Sequence, residues 1–462
     1  MQRLITHLTP AYFPNSIGGT ENYVAQLASE LLLFGWESSI VTIGSITKTY
    51  RWQEFNVCQL GISSSLDKQF VQEGWDPIFY ENFTAWFEEN RPQLIHIHGI
   101  NTAISEKVIS YSQKHGARIV LTFHLQPFCQ RGTLLQYGKY SCTGEYDIRK
   151  CLPCILHDKG FSEFQSKLAS QVILHMPPAV SQSVKGKWNT ALRLPGASQE
   201  QHRRLLLACE NSDKIVALSY WQKNLYITNS VPEEKIALVR HGTRLAKSSK
   251  NISDTQDNCA PFFRKIDGLL NRGEYPHQEI KYPIRLIFLG RIVPVKGLHL
   301  VIDAIAHLPK DFIKLDVFGS KDMDFSDYYD QITDNLPSNV QFQPVIPPEV
   351  VVAHLQQYHA LVCPSVWFET GPLVVLESLS AGVPVLGSNL GGIAEWIQDG
   401  VNGILVEPNV ASWVENLQKL INQPRILFDL RQGIIEPPSF SEVAQKMNAI
   451  YQNLLEDSHC AS

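Results

Sequence analysis

Twice in this chain a short apolar run breaks into a glycine-bearing loop and then into a helical pattern, and that repetition restricts the fold more than any other feature. Near the start, RLITHL runs into TPAYFPNSIGGTE and then NYVAQLASELLLFGW; later, IRLIFLGRIVPVKGLHLVIDAIAHL repeats the order in one sweep. Leu27, Leu31 and Phe34 recur at helical spacing, and Gly35 is placed to end the first helix. Strand, glycine loop and helix open a doubly wound α/β sheet, which binds ligands beyond the carboxyl ends of its strands.

The segments between continue the alternation. SSIVTIG, QLIHIHG and ARIVLTFHLQP read as strands, with a helix predicted near 103–115, and such alternation argues for a parallel sheet covered by helices. Residues 46–80 read as loops with at most a short strand. His124 stands at the end of a strand, where ligands gather; His96 and His98 read as structural. From 161 to 245 helical stretches alternate with polar ones. The run around Lys185, Lys187 and Trp188 reads as a solvated loop, with a membrane-facing patch as the alternative. Residues 246–282, with SSKNISDTQDN and GLLNRGEYPHQE, read as a linker or insertion at the domain boundary. In the second half KLDVFG is a strand, SWVENLQKLI a helix, and the tail spaces Val443, Met447 and Ile450 as an amphipathic helix.

The chain's 462 residues suit two or three domains, and 44% hydrophobic residues are ample for sizeable cores. A formal charge of -5 gives no global reason to expect nucleic acid as a partner. No apolar run approaches the roughly 20 residues needed to span a bilayer, and MQRLITHLTPAYFP lacks the apolar core of a secretory signal. The expectation is a cytoplasmic protein, with peripheral membrane contact through a local basic patch left open. Its nine cysteines would then be reduced thiols or metal ligands.

The chemistry concentrates in SVWFETGPLVVLE, Ser365 to Glu377, where Glu369 and Glu377 flank a Gly-Pro pair. A helix starting near Pro372 puts Glu377 on its first turns and Glu369 in the loop before it, and proline suits a helix start because its missing N–H is one of those left unpaired there. The free N–H groups at that end attract an anion, most often phosphate. Two carboxylates beside a phosphate seat suit a hydroxyl-rich ligand, and a nucleotide-sugar has both parts.

With Glu369 and Glu377, Ala381 to Val385 and the Gly391-Gly392 pair, the sequence resembles the retaining glycosyltransferases of the GT-B fold, family 4, group 1 type. The resemblance implies two Rossmann-like domains facing across a cleft. Residues 1–245 would form an acceptor domain, 283–425 the nucleotide-sugar donor domain, and 426–462 helices crossing back to the first. Gly290-Arg291 and Lys296-Gly297 match the pattern that grips the donor's diphosphate, where fixed cations stabilise charge growing on the leaving group. The resemblance further implies that Gly18 and Gly19 let backbone come close to donor phosphate or acceptor, and that His124 contacts the transferred sugar. Glu369 would bind sugar hydroxyls and Glu377 ribose hydroxyls, while backbone around Thr370, Gly371, Pro372 and Leu373 assists the phosphates. The nucleobase would sit around Val345 to Pro348.

A cysteine-rich insertion follows His124, at about 129–157: Cys129, Cys142, Cys151 and Cys154, the last two as Cys-x-x-Cys. Four thiolates suit a structural zinc, with His157 in reserve; an iron–sulfur cluster and free or redox-linked thiols are the alternatives. Ordering a long aperiodic loop is what bound metal can supply where a small core cannot.

The expected activity is transfer of a hexose-type sugar from a UDP- or GDP-linked donor to a hydroxyl acceptor: a glycan, a lipid-linked glycan or a small molecule. No cofactor is required for catalysis. The resemblance implies a front-face course, in which no carboxylate acts as nucleophile and the leaving phosphate itself helps to deprotonate the acceptor, with Glu369 positioning the sugar. The alternatives are an epimerase of the same fold, which would need carboxylates near Glu21 and His124, and a non-catalytic partner protein using the cysteine loop.

Overall fold

The computed structural model describes residues 3–16, 18–63, 74–176, 187–243 and 282–459. The linker reading for 246–282, Tyr282 apart, and the stretch around Lys185, with the Lys187 and Trp188 side chains, fall outside the described residues. The chain divides into two compact units: residues 1–241 with Trp367–Gly371 and Phe440–Ser462, and Gly242–Val366 with Pro372–Ser439.

The first unit is built on an eight-stranded sheet. Its strands are β1 (Arg3–Thr9), β2 (Trp36–Gly44), β3 (Lys48–Trp52), β4 (Phe55–Gly61), β5 (Leu94–Ile97), β6 (Arg118–Thr122), β9 (Lys214–Ala217) and β10 (Ile236–Leu238), in the order β10-β9-β6-β5-β1-β2-β4-β3. Every described pairing is parallel except β3 with β4. A separate antiparallel pair, β7 (Leu135–Gln136) and β8 (Tyr140–Ser141), lies in the cysteine insertion. Chain order reverses between β1 and β5, so the loops leaving these two strands diverge and open a crevice at their carboxyl ends. The central strands are buried on both faces, as parallel strands covered by helices must be.

Residues 46–80 correct the sequence reading. They hold the β3–β4 hairpin, turned at Gln53 with φ of +51°, and the start of the helix Pro77–Asn90. The polar residues that suggested a loop are the outward half of a hairpin at the sheet edge, while Phe55, Val57 and Leu60 face inward. Asp76 caps the helix by accepting from the Phe79 N–H.

The helix Gly19–Leu32 lays Val24, Leu27 and Leu31 on the sheet, and the C-terminal helix Phe440–His459 packs beside it through Val443, Met447 and Tyr451. Trp36 donates its indole N–H to Asn448 Oδ1 at 2.8 Å, which fixes that helix against the start of β2.

The second unit has a six-stranded parallel sheet of β11 (Ile284–Leu289), β12 (Ile313–Phe318), β13 (Val340–Gln343), β14 (Ala360–Cys363), β15 (Val385–Ser388) and β16 (Gly403–Val406). Its order, β13-β12-β11-β14-β15-β16, reverses between β11 and β14. Both sheets are thus doubly wound, the Rossmann arrangement. Helix Arg425–Gln432 belongs to this unit, with Leu427 and Leu430 buried in its core, so residues 426–439 pack here and only the final helix lies in the first unit. Among the described residues no helix is long and apolar enough to cross a membrane.

Trp413, on the helix Val410–Asn422, is fully buried against the helix Leu298–Ala306 and the sheet. Truncating so large a side chain leaves a cavity that the close-packed surroundings fill only partly. Trp413→Ala is expected to destabilise the second unit by about 3–5 kcal/mol, measured as a shift of its denaturation midpoint; a loss below about 1 kcal/mol would contradict this packing.

Candidate active site

At the carboxyl edge of the first sheet the structure gathers histidines from three neighbouring strands. His7 lies in β1, His96 in β5, His98 just beyond β5 and His124 just beyond β6. His7 Nδ1 is 3.1 Å from His98 Nε2, and His98 Nδ1 is 3.2 Å from His124 Nε2, so three imidazoles form one chain. His96 pairs separately with Tyr451 Oη at 2.6 Å and Thr122 Oγ1 at 2.7 Å. His7, His96 and His98 are buried, and their ligand atoms lie within 4.8 Å of one another. Their nitrogens are nonetheless taken by hydrogen bonds, His7 Nε2 excepted, so the group is a hydrogen-bonded network.

The protons in that chain can be assigned by counting. Burial, the largest cause in each case, holds all four imidazoles well below their usual pKa, His7 and His124 at about 3, so each is neutral at pH 7 with a single N–H. The two links must therefore run in one direction. If His7 Nδ1 donates, the only fully buried ring nitrogen of the chain left unsatisfied is a lone pair on its Nε2, which has no protein partner. The reverse direction would bury an unpaired N–H there, a rarer and costlier orphan. Hence His7 donates to His98, His98 donates to His124 Nε2, and His124 carries its proton on Nδ1. That N–H has no hydrogen-bond partner among the described residues.

Around His124 the unit supplies an aromatic and backbone wall. Tyr23 meets His124 and His241 edge-on, with ring centroids at 4.9 and 5.2 Å. The segment Trp367–Gly371 is seated beside them: Thr370 Oγ1 donates to the His124 carbonyl at 2.6 Å, and Trp221 Nε1 donates to the Glu369 carbonyl at 2.9 Å. Glu369 is buried here. A Cβ at Gly371 would lie 2.0 Å from His241 Cδ2, so only glycine allows this seating. Gly18 caps the helix Gly19–Leu32 in an extended conformation, and a Cβ at Gly19 would meet nothing within 4 Å. Glu21 is buried and accepts from Ser16 Oγ at 2.6 Å.

In the second unit, the reversal between β11 and β14 carries the other predicted residues. Gly290, at φ +152°, and the exposed Arg291 follow β11; Lys296 ends the one-turn helix Pro294–Lys296, and Gly297 turns at φ +67°. A Cβ at Gly297 would lie 2.0 Å from the Pro364 carbonyl oxygen, and Val366 N–H donates to Val295 O at 2.9 Å, so the loops after β11 and β14 are pinned together. Arg291 Nη1 stands 3.5 Å from Asp322 Oδ2. Glu377 lies on the helix Leu373–Ser380, which Pro372 precedes as its cap, as the sequence predicts.

Residues 275–436 match the family of glycosyl transferases group 1, and residues 17–143 match glycosyltransferase family 4. The chain belongs to the family 4, group 1 glycosyltransferases. Relatives in this family include an uncharacterised glycosyltransferase of Methanocaldococcus jannaschii, 25% identical over 49% of this chain and 56% of that protein. A D-inositol 3-phosphate glycosyltransferase of Catenulispora acidiphila is 27% identical over 37% of this chain and 44% of its own. The chain spans about half the length of the curated relatives it matches. Among solved structures, the sucrose-phosphate synthase of Thermosynechococcus elongatus aligns with a TM-score of 0.64 at 18% identity, covering 98% of this chain and all of that one. Anabaena HepE, solved with UDP and glucose, aligns at 0.60 and 14% identity, covering 98% and 100%. These likenesses make the fold GT-B.

For this family member, sequence reasoning missed His7, His98, Tyr23 and Trp221 as supports of the His124 environment. The signal was weak: only the shared strand-end position of the three histidines linked them.

Two measurements test this network. Long-range ¹H–¹⁵N spectra at pH 7.5 are expected to show His124 protonated on Nδ1, with His98→Asn disturbing that state; a proton found on Nε2 in the native protein would reverse the chain. Because the folded pKa of His7, His96 and His98 is depressed, the unfolded chain binds more protons below pH 6.5, and stability falls with pH there. Each imidazole removes about 1.4 kcal/mol per pH unit below about 6.5, down to its own folded value. Chemical denaturation of the first unit should therefore become easier between pH 7.5 and 5.5, and an unchanged midpoint would rule out neutral burial.

Proposed function

We propose that this protein is a retaining glycosyltransferase that moves a hexose-type sugar from a nucleotide-diphosphate sugar to a hydroxyl acceptor. The observation that carries this reading is the loop Gly290–Gly297 at the reversal point of a doubly wound sheet, in a chain of this family. Arg291 and Lys296 on that loop would hold the diphosphate. Charge grows on the leaving phosphates as the glycosidic bond breaks, and cations fixed there favour that state over the ground state. Such a site has no need of a divalent metal.

Glu377 would hold the ribose hydroxyls and Glu369 the sugar hydroxyls, with backbone from Thr370 to Leu373 assisting the phosphates. Gly18 and Gly19 would let backbone approach the donor phosphate or the acceptor. His124, neutral and protonated on Nδ1, would donate to a hydroxyl oxygen of the transferred sugar. The reaction would follow a front face, with the leaving phosphate taking the acceptor's proton, so Glu369 positions the sugar and is not a base. HepE binds UDP and UDP-glucose, which favours UDP as the first nucleotide to try. A glycan, a lipid-linked glycan and a small molecule all fit as acceptor classes.

A thermal-shift series with UDP, GDP, ADP and their sugar conjugates tests the reading, with Lys296→Ala as the control. A ligand at 100 times its dissociation constant stabilises the native state by about 2.7 kcal/mol. One nucleotide is expected to raise the melting temperature of the native protein and to do so less for Lys296→Ala. Indifference to all three nucleotides would remove the donor site.

A further inference from the structure

The insertion after β6 contains a feature that sugar transfer does not use. Cys129, Cys142, Cys151 and Cys154 are all unpaired by disulfides, half-buried, and together line one cavity of about 40 Å³. The rest of its wall is largely apolar, including Phe128 and Ile155. Cys151 and Cys154 come from the helix Ile148–Asp158, Cys142 from the end of the β7–β8 hairpin, and Cys129 from the loop just after β6. Thiols from three separate segments thus border a common space.

Donors are aimed at the sulfurs. Tyr137 N–H lies 3.4 Å from Cys154 Sγ, and Arg131 Nη1 also lies 3.4 Å from it. Arg131 is itself held by Asp158 at 3.1 Å and by the Leu135 carbonyl at 2.8 Å. Gly144 N–H lies 3.5 Å from Cys142 Sγ. A thiol is a poor acceptor, whereas a thiolate bound to metal accepts such bonds readily, and they tune metal–thiolate centres.

The spacing of the sulfurs separates two kinds of guest. A single tetrahedral zinc, with Zn–S bonds of about 2.3 Å, draws its four sulfurs to about 3.8 Å from one another. Among the described residues, however, the set of three ligand atoms within 4.8 Å of one another is the histidine group, so no three of these cysteine sulfurs come that close. All four border one cavity, yet no three of them reach the mutual spacing that a single ion imposes. A cubane cluster asks for that arrangement, because each thiolate binds a different iron at a different corner.

We propose that Cys129, Cys142, Cys151 and Cys154 bind a [4Fe–4S] cluster that staples the insertion together. The apolar wall would shield the cluster from water, and Arg131 would offset its charge. This site stands independently of the transferase reading, since none of its ligands belongs to the donor or His124 environment.

The full-length native protein, purified without oxygen and also reconstituted anaerobically with ferric iron, sulfide and a thiol reductant, tests the assignment. The expected result is about four iron and four acid-labile sulfide per chain, with a broad visible absorption that dithionite bleaches. Cys142→Ser and Cys154→Ser should each lose most of that absorption. The metal analysis of the unaltered protein decides the question even if those variants fold poorly. One zinc per chain without sulfide would overturn the cluster in favour of a single ion. Four alkylatable thiols with neither metal, before and after reconstitution, would overturn any metal site.

Discussion

Parallel strand pairing is the constraint on which this molecule depends. A parallel ladder sends every strand's carboxyl end to the same edge of the sheet, and a reversal of chain order leaves that edge open between two strands. In the first unit the opening lies between β1 and β5, in the second between β11 and β14. Residues far apart in sequence therefore meet at strand ends: His7, His98 and His124 in one sheet, and Gly290, Gly319 and Pro364 in the other. The approach there is close enough to dictate residue type, since a Cβ at Gly319 would lie 2.0 Å from the Gly290 carbonyl oxygen.

The histidine chain illustrates why a polar network is worth burying. Each imidazole placed in a dry interior gives up its hydration, and it stays neutral as a result. Nearly every nitrogen then finds a partner, and the network has few ways to satisfy itself. What the arrangement gains is a defined orientation and protonation pattern at its partly exposed end, His124, more than raw stability. Tyr451 bonds His96, whose ring packs against His98, so the C-terminal helix takes part in fixing the interior beneath the strand edge.

Much of this was legible in the sequence because local and global signals agreed. The strand–glycine–helix openings are strong periodic patterns, the Gly290–Gly297 loop lies inside one of them, and Glu377 stood out through its spacing from Glu369 across a Gly-Pro pair. The β3–β4 hairpin was not legible, because its strands lie at the sheet edge and half of their residues face water, which dilutes the apolar alternation. The supports of the His124 environment were hidden for another reason. Trp221 and Tyr23 matter through contacts set by tertiary packing, and no spacing in the chain announces that an indole on one helix will bond the carbonyl of Glu369.

One short helix links the features that the sequence kept separate. Helix Tyr220–Thr228 carries Trp221, which holds the Glu369 carbonyl, and Gln222, whose amide donates to the Phe123 carbonyl at 2.7 Å, next to His124. At its other end, Asn229 donates to the Gly144 carbonyl and accepts from the Tyr146 N–H, both at 3.1 Å, inside the cysteine insertion. The insertion's Leu152 and Leu156 form a small cluster with Ile173 and Ala191, and its Leu134 is buried in the main core of the first unit beside Leu225. The Asn229 bonds thus add to an apolar anchorage that already ties the insertion to this helix. One helix therefore bonds the cysteine insertion at one end and, through Trp221 and Gln222, the backbone on which Glu369 and His124 stand at the other.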